Sequence, residues 1–280
     1  NITVASTVTE SHAAGTVQSN HQVSLDRVAG LYVTNSDGAG LLRVDAAGDV
    51  TLQAAQLGNA AANGLTAVVA GGDLNLTTQS LSRSTDITGD ARNFTRSSDI
   101  THVGTTVSGA GSVVLAAGKD INLTAAQIGA GEALALQAGR DINSQAAVDS
   151  SSRDRSSVTK SNSLASSTYD ETVRGTQLGA GGDITLQAGR DMTLASTSAA
   201  SLEGGIALAA GNDIKLLATQ EQHDVVVDKQ TKDKGTLSSK TTTTHDEWHD
   251  SLAVVSTLSA ETVSIVAVND LLSQGTQIVG

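Results

Sequence analysis

The sequence predicts an all-β fold in which short parallel strands wind into a triangular β-helix. Three observations support this fold class. A glycine–aspartate phrase recurs along the 280 residues, the segments after it alternate apolar and polar residues, and aromatic rings make up only 1% of the composition. Alternation with a period of two is typical of a strand with one buried face. A thin core of Ala, Val, Leu and Ile favours a fold that grows in one dimension rather than a globule.

The spacing of the phrase sets the predicted coil length. Segments 184–186 (Ile-Thr-Leu) and 192–194 (Met-Thr-Leu) are equivalent to 206–208 and 214–216, each 22 positions later. A third short segment, 198–202, lies between the two pairs. Three strands and three corners in about 22 residues describe one coil of a triangular solenoid. Wound throughout in this way, the chain would form about 11 to 13 coils and a rod on the order of 50 to 60 Å long.

Glycine and aspartate have a local role at the predicted corners. Glycine permits a positive φ and close packing at a sharp bend. Aspartate can accept a hydrogen bond from a backbone N–H two residues further on, which closes the turn. A catalytic carboxylate pair occurs once in a chain, whereas these aspartates recur in every copy, so we expect a structural role. The predicted turn positions are Gly48, Asp49, Gly72, Asp73, Gly118, Asp120, Gly139, Asp141, Gly182, Asp183, Gly189, Asp191, Gly211 and Asp213.

A longer period divides residues 1–280, interpreted as a single β-helix fragment, into super-repeats. Asp49, Asp120 and Asp191 are spaced 71 residues apart. The predicted super-repeats span approximately 38–108, 109–179 and 180–258, with a partial one at 259–280. Each complete unit contains a Ser/Thr-rich, charged stretch, at approximately 77–107, 144–176 and 219–257. We expect extended hairpin arms there, with floppy loops as the alternative, and the end of a fourth arm at residues 9–30.

Composition and motifs argue against several classes of function. With 29 acidic and 17 basic residues the net charge is −12, which disfavours nucleic acid as a partner. Cysteine is absent, so there is no disulfide and no thiolate metal site. No phosphate-cradling glycine loop or nucleophile elbow occurs. We therefore predict no enzymatic activity, no catalytic or cofactor-binding residues and no cofactor.

Two motifs resemble metal-binding motifs, but neither has the spacing that would predict a metal site. His245 and His249 lie four residues apart in "HDEWH", but a metalloprotease requires Glu directly after the first His, and Asp246 stands there. On a strand the two histidines would be about 13 Å apart, with Trp248 expected to be half-buried. The phrase also partly resembles calcium-binding nonapeptides, which need tandem nine-residue repeats that this chain lacks.

Two long segments carry a resemblance to a known family. "LGAGGDITLQAGRDMTLASTSA" and "GAGSVVLAAGKDINLTAAQIGAGEALALQAGRDIN" resemble the haemagglutinin repeats of the filamentous haemagglutinin family, large exoproteins of Gram-negative two-partner secretion systems. The histidine-containing polar arms are similar to the second repeat region of contact-dependent growth-inhibition toxin-delivery proteins. The resemblance covers roughly residues 25 to 280. It implies a right-handed parallel β-helix, export through an outer-membrane secretion partner, and a location at the bacterial cell surface.

The functional hypothesis is a non-enzymatic shaft or interaction segment that serves adhesion or toxin delivery, contacting a cell-surface receptor or a target-cell outer membrane. The alternative is a membrane-interacting region that helps a contact-dependent toxin cross the target outer membrane. A polysaccharide-active β-helix enzyme is a third hypothesis. Because the sequence begins within the repeat pattern and lacks an initiator Met, we expect a segment of a longer protein.

Overall fold

A computed structural model describes all residues from Asn1 to Gly280. The chain contains 31 β-strands and no helix. Three parallel sheets form the sides of a solenoid, which we call the shaft, and a fourth, antiparallel sheet projects from it. This fourth sheet is called the arm sheet. The prediction of an all-β parallel solenoid is confirmed.

Each sheet collects strands that are distant in sequence. Sheet 1 contains β1 (Ile2–Ala5), β6 (Val50–Gln53), β9 (Leu74–Thr77), β14 (Ile121–Thr124), β17 (Ile142–Gln145), β22 (Met192–Ala195), β25 (Ile214–Leu217) and β30 (Leu271–Ser273). Sheet 2 contains β4 (Gly30–Val33), β7 (Gln56–Asn59), β12 (Thr106–Gly109), β15 (Gln127–Ala130), β20 (Gln177–Ala180), β23 (Ser198–Ser201), β28 (Ser256–Ser259) and β31 (Thr276–Val279). Sheet 3 contains β5 (Leu41–Ala46), β8 (Leu65–Ala70), β13 (Ser112–Ala117), β16 (Leu134–Ala138), β21 (Ile184–Ala188), β24 (Gly205–Ala210) and β29 (Thr262–Ala267).

The arm sheet consists of four hairpins in chain order. Arm 1 is β2 (Thr7–Ala14) and β3 (Gln18–Arg27), and arm 2 is β10 (Gln79–Asp90) and β11 (Asn93–Val103). Arm 3 is β18 (Ala147–Val158) and β19 (Asn162–Arg174), and arm 4 is β26 (Thr219–Lys234) and β27 (Ser239–Val254). Arm 1 is a complete hairpin, whereas the sequence predicted only the end of one.

Every coil passes through sheets 1, 2 and 3 in that order, giving seven complete coils and two strands of an eighth. The expected 11 to 13 coils is therefore wrong, because the four arms take up more than a third of the residues. At about 4.8 Å between stacked strands, the shaft is about 35 Å long.

The core of the shaft is a stack of aliphatic side chains. In β21, Ile184, Leu186 and Ala188 are buried while the residues between them are exposed, as the alternation predicts. Leu186 pairs with Leu136 below and Leu208 above, so like residues stack on like. The shared cluster contains 38 buried residues. Each fully buried leucine contributes about 1.5 to 3 kcal/mol relative to an exposed one.

The arms leave the corner between sheets 1 and 2 in every second coil, and they pair with each other. Strand β3 pairs with β10, β11 with β18, and β19 with β26. A hairpin is two strands wide, about 9.6 Å, and two coils rise by the same amount. An arm in every second coil therefore builds one continuous sheet. The 71-residue period corresponds to one plain coil plus one coil with an arm.

Candidate structural ladder and interaction surface

Aspartate forms a continuous ladder along the corner between sheets 3 and 1. The carboxylate of each aspartate accepts a hydrogen bond from the backbone N–H of the equivalent aspartate in the next coil. The expectation that these side chains close their own turns is wrong, because the bonds run from coil to coil. The N–H donors and their carboxylate acceptors are Asp73 to Asp49 (2.9 Å), Asp120 to Asp73 (3.1 Å), Asp141 to Asp120 (3.2 Å), Asp191 to Asp141 (3.1 Å), Asp213 to Asp191 (3.3 Å) and Asp270 to Asp213 (3.2 Å).

In the later coils, the residue before each aspartate adds a side-chain hydrogen bond to the aspartate of the preceding coil. Arg140 donates two hydrogen bonds to the carboxylate of Asp120, and Arg190 does the same to Asp141. The Arg140 hydrogen bond lowers the pKa of Asp120 despite partial burial. Such a carboxylate stays ionised, and its lone pairs are occupied by donors from the next coil. The ladder therefore holds coils together and offers no free acid or base.

Asparagine takes the place of arginine in the last coils. Asn212 donates to Asp191 at 2.7 Å and Asn269 donates to Asp213 at 3.0 Å. The Asn212 amide lowers the pKa of Asp191. A neutral donor at this position therefore stabilises the same ionised state of the carboxylate as a charged donor does.

Four of the predicted turn glycines share one corner position. A Cβ atom added at Gly118, Gly139, Gly189 or Gly211 would lie 2.9 to 3.0 Å from the carbonyl carbon of the same position one coil earlier, and closer still to its oxygen. None of the four has a positive φ, so the conformational reason given from sequence is wrong. Close approach of stacked backbones excludes a side chain here.

Positive φ occurs at a different corner. Ala54, Ala125 and Ser196, with φ of 46°, 46° and 47°, begin the two-residue corner between sheets 1 and 2 in the three plain coils. Their left-handed backbone makes the sharp turn that a projecting arm replaces in the other coils. Sequence patterns had no signal for this, since alanine and serine rarely adopt that conformation.

The remaining predicted turn residues divide between two corners. Gly48 and Gly72 occupy the position directly before the aspartates of the ladder. Gly182 and Asp183 lie instead at the corner between sheets 2 and 3. There Asp183 accepts the N–H of Gly205, one coil later, at 2.8 Å. The two phrases that flank β21 thus use the same chemistry at neighbouring corners.

The arm sheet differs from the shaft in chemistry. All six histidines, three of the four aromatic residues and 12 of the 17 lysines and arginines lie in the four arms. Both faces of this single-layer sheet contact solvent, and β27 is exposed along all but its last residue. Polar, aromatic and cationic side chains exposed on a rigid support are typical of a recognition surface.

The "HDEWH" motif lies in β27, where alternate residues share a face. His245 Nδ1 lies 2.7 Å from Asp228 Oδ1, and His249 Nδ1 lies 2.7 Å from Asp224 Oδ1. Glu247, between the two histidines, contacts the Nε2 atoms of both, at 3.4 and 2.5 Å. Hydrogen bonds to these carboxylates raise the pKa of both histidines and lower that of Glu247. The five side chains form a row of alternating charge when the histidines are protonated.

Trp248 lies on the opposite face of β27 and is 60% exposed, so the expectation that it is half-buried is wrong. It pairs with Val225 on β26, and no further strand covers it on the other side. No group of three or more His, Cys, Asp or Glu side chains in the chain is arranged to hold a metal ion. The structure also contains no helix long and apolar enough to cross a membrane.

Comparison with known protein families relates the second part of the chain to one of them. A model of the hemagglutinin repeat matches residues 156–280, which contain the last coils of the shaft and all of arm 4. Residues 156–280 therefore carry the repeat of the filamentous haemagglutinin family. Members of this family are secreted or cell-surface exoproteins with structural or adhesive roles, and a secretion partner exports them. No curated protein and no solved structure matches the sequence.

Proposed function

We propose that this haemagglutinin-repeat chain is a non-enzymatic segment of the shaft of a filamentous exoprotein on the Gram-negative cell surface. In this proposal the arm sheet is the surface through which the segment contacts a receptor or a target cell, in adhesion or in toxin delivery. An outer-membrane partner exports the full-length protein. The shaft sets the spacing and orientation of the arms.

The segregation of side chains carries this proposal. The shaft buries aliphatic residues and connects its corner carboxylates from coil to coil, so these side chains serve to hold the shaft together. The arms hold every histidine and most of the cations, on strands with two exposed faces. A stable support that presents a chemically varied surface suits recognition better than catalysis.

A shaft-only variant tests the proposal. In plain coils two residues such as Ala54 and Ala55 connect sheet 1 to sheet 2, and the residues that flank each arm occupy equivalent positions. Deleting each arm therefore leaves a two-residue corner of native length. The four deletions are residues 7–28, 79–104, 147–175 and 219–255.

The intact segment and the shaft-only variant are compared for binding to target cells by flow cytometry, with circular dichroism as a check of β-structure. We expect the shaft-only variant to remain folded and to lose cell binding. Equal binding by both proteins would refute the role of the arms. Co-sedimentation of the intact segment with protein-free vesicles would favour the membrane-interacting alternative over a receptor.

A further inference from the structure

A groove lies between arms 3 and 4, far from the shaft. Its volume is about 420 Å³. Pockets that bind small ligands have volumes of roughly 300 to 1,000 Å³. Nine residues line it, including Arg155, Ser157, Thr159, Asn162 and Lys229. The lining contains two cations, several hydroxyl and amide groups, one leucine and no carboxylate.

Strand pairing places the two cations on one face of the arm sheet. Ser157 on β18, Leu164 on β19 and Lys229 on β26 are direct cross-strand neighbours. Arg155 lies two residues before Ser157 and therefore points to the same face. The two cations thus flank a short row of small side chains across three adjacent strands.

Neither cation is engaged in an ion pair. Arg155 and Lys229 form no ion pair, whereas Arg140 and Arg190 of the shaft are both paired with aspartates. The nearby carboxylates of Asp154 and Asp228 point to the opposite face, because each is one residue away from a groove cation in sequence. There Asp154 accepts a hydrogen bond from Ser167, and Asp228 contacts His245.

We propose that this groove binds a tetrahedral oxyanion, a phosphate or sulfate group carried by the surface that the arm sheet contacts. The guanidinium of Arg155 supplies a fork of N–H donors, the ammonium of Lys229 supplies a point charge, and Ser157 supplies a hydroxyl donor. The hydroxyl of Thr159 instead donates to the carbonyl of Asn162 and holds the end of arm 3. The proposal rests on the arm sheet being the contact surface and names the chemistry of its partner.

The overall charge of −12 limits what such a groove accepts. A long polyanion would meet repulsion from the rest of the molecule, whereas an isolated anionic group interacts mainly with charges within a Debye length of about 10 Å. The groove therefore suits single phosphate or sulfate groups on a lipid headgroup or a saccharide rather than a nucleic acid.

Titration of the intact chain with inorganic phosphate, followed by amide NMR, tests the proposal. We expect saturable shifts at the groove, including the amides of Ser157 and Lys229, with a dissociation constant on the order of 1 mM. Arg155→Gln and Lys229→Gln should each weaken binding about tenfold, because each removes a charge-assisted hydrogen bond. Arg83→Gln is the matched control, since Arg83 is also unpaired and lies on the same face, on β10.

Two outcomes would overturn the proposal: no phosphate-specific shifts beyond those caused by chloride, or equal weakening by Arg83→Gln and the groove variants. Vesicles of phosphatidylglycerol and the soluble sugar glucose 6-phosphate then distinguish a lipid from a saccharide source, with phosphatidylcholine and glucose as controls. Failure of the phosphate titration alongside arm-dependent cell binding would refute the groove assignment and leave the proposed function intact.

Discussion

Replacement of Gly189 tests whether close approach, rather than backbone conformation, selects glycine at the corners. In Gly189→Ala the new Cβ would lie 2.9 Å from the carbonyl carbon of Gly139, and closer to its oxygen. Carbon atoms at optimal separation are about 3.5 to 4.0 Å apart, so the coils must separate locally by more than half an ångström. The hydrogen bond from Gly189 N–H to Ala138 C=O, now 3.0 Å, opposes that movement.

The last complete coil shows what a side chain does at this corner. Val268 occupies the position of Gly189, and its N–H lies 3.3 Å from Ala210 C=O, longer than the 3.0 Å bond of Gly189. Val268 has an equivalent residue in a neighbouring coil on one side only, whereas Gly189 has such residues on both sides. Overpacking of this kind costs about 1 to 3 kcal/mol, and Gly189→Val should cost more than Gly189→Ala because it adds two further methyl groups.

Gly179→Ala is the matched control. Gly179 lies ten residues earlier in the same coil, and a Cβ there would have no atom within 4 Å. Alanine in a strand interior is about 0.5 to 1 kcal/mol more favourable than glycine. We therefore expect the two variants to differ by about 1.5 to 4 kcal/mol in the free energy of unfolding, measured by urea denaturation followed by circular dichroism. Equal denaturation midpoints for Gly189→Ala and Gly179→Ala would refute the close-approach explanation.

Three further predictions concern the ladder, the core and arm 4. Asp141→Ala should lower the free energy of unfolding by about 2 to 3 kcal/mol, and Asp141→Asn by about 1 kcal/mol. The asparagine variant loses less because its amide oxygen still accepts the N–H of the next coil, although the charged pair with Arg190 is lost. Equal losses for the two variants in urea denaturation would contradict the role of the ladder. Leu186→Ala, assayed in the same way, should cost about 3 to 5 kcal/mol, and a cost below 1 would mean the core is loosely packed. His245 and His249 have folded-state pKa values above 6.5, so the stabilisation that they give arm 4 is present below pH 6.5 and is lost as the pH rises through those raised values. NMR titration of the histidine rings and hydrogen exchange in β27, corrected for intrinsic rates, should show this loss of protection, and pKa values at or below 6.5 would contradict it.

The candidate interaction surface was only partly visible in the sequence. The polar stretches are rich in Ser and Thr and contain histidines, which marked them as distinct from the coils. Because both faces of the arm sheet contact solvent, its strands lack the apolar alternation that would have fixed their register. Arg155 and Lys229 are 74 residues apart, and only the pairing of β18, β19 and β26 brings them to one groove.

The sequence by itself determined the shaft: the period of about 22 residues, the alternation in β21 and the aliphatic core all follow from residues close together in the chain. The spacing of apolar residues along a strand decides which face of the strand is apolar, so these features can be predicted without coordinates. Only the tertiary structure decided the number of coils, the partner of each carboxylate and the union of four arms in one sheet. Asp141 binds the N–H of Asp191, 50 residues away, because stacking places equivalent residues about one strand spacing apart. Which residues become partners depends on how many residues lie in each arm instead of in the coils, and local sequence patterns do not reveal that number.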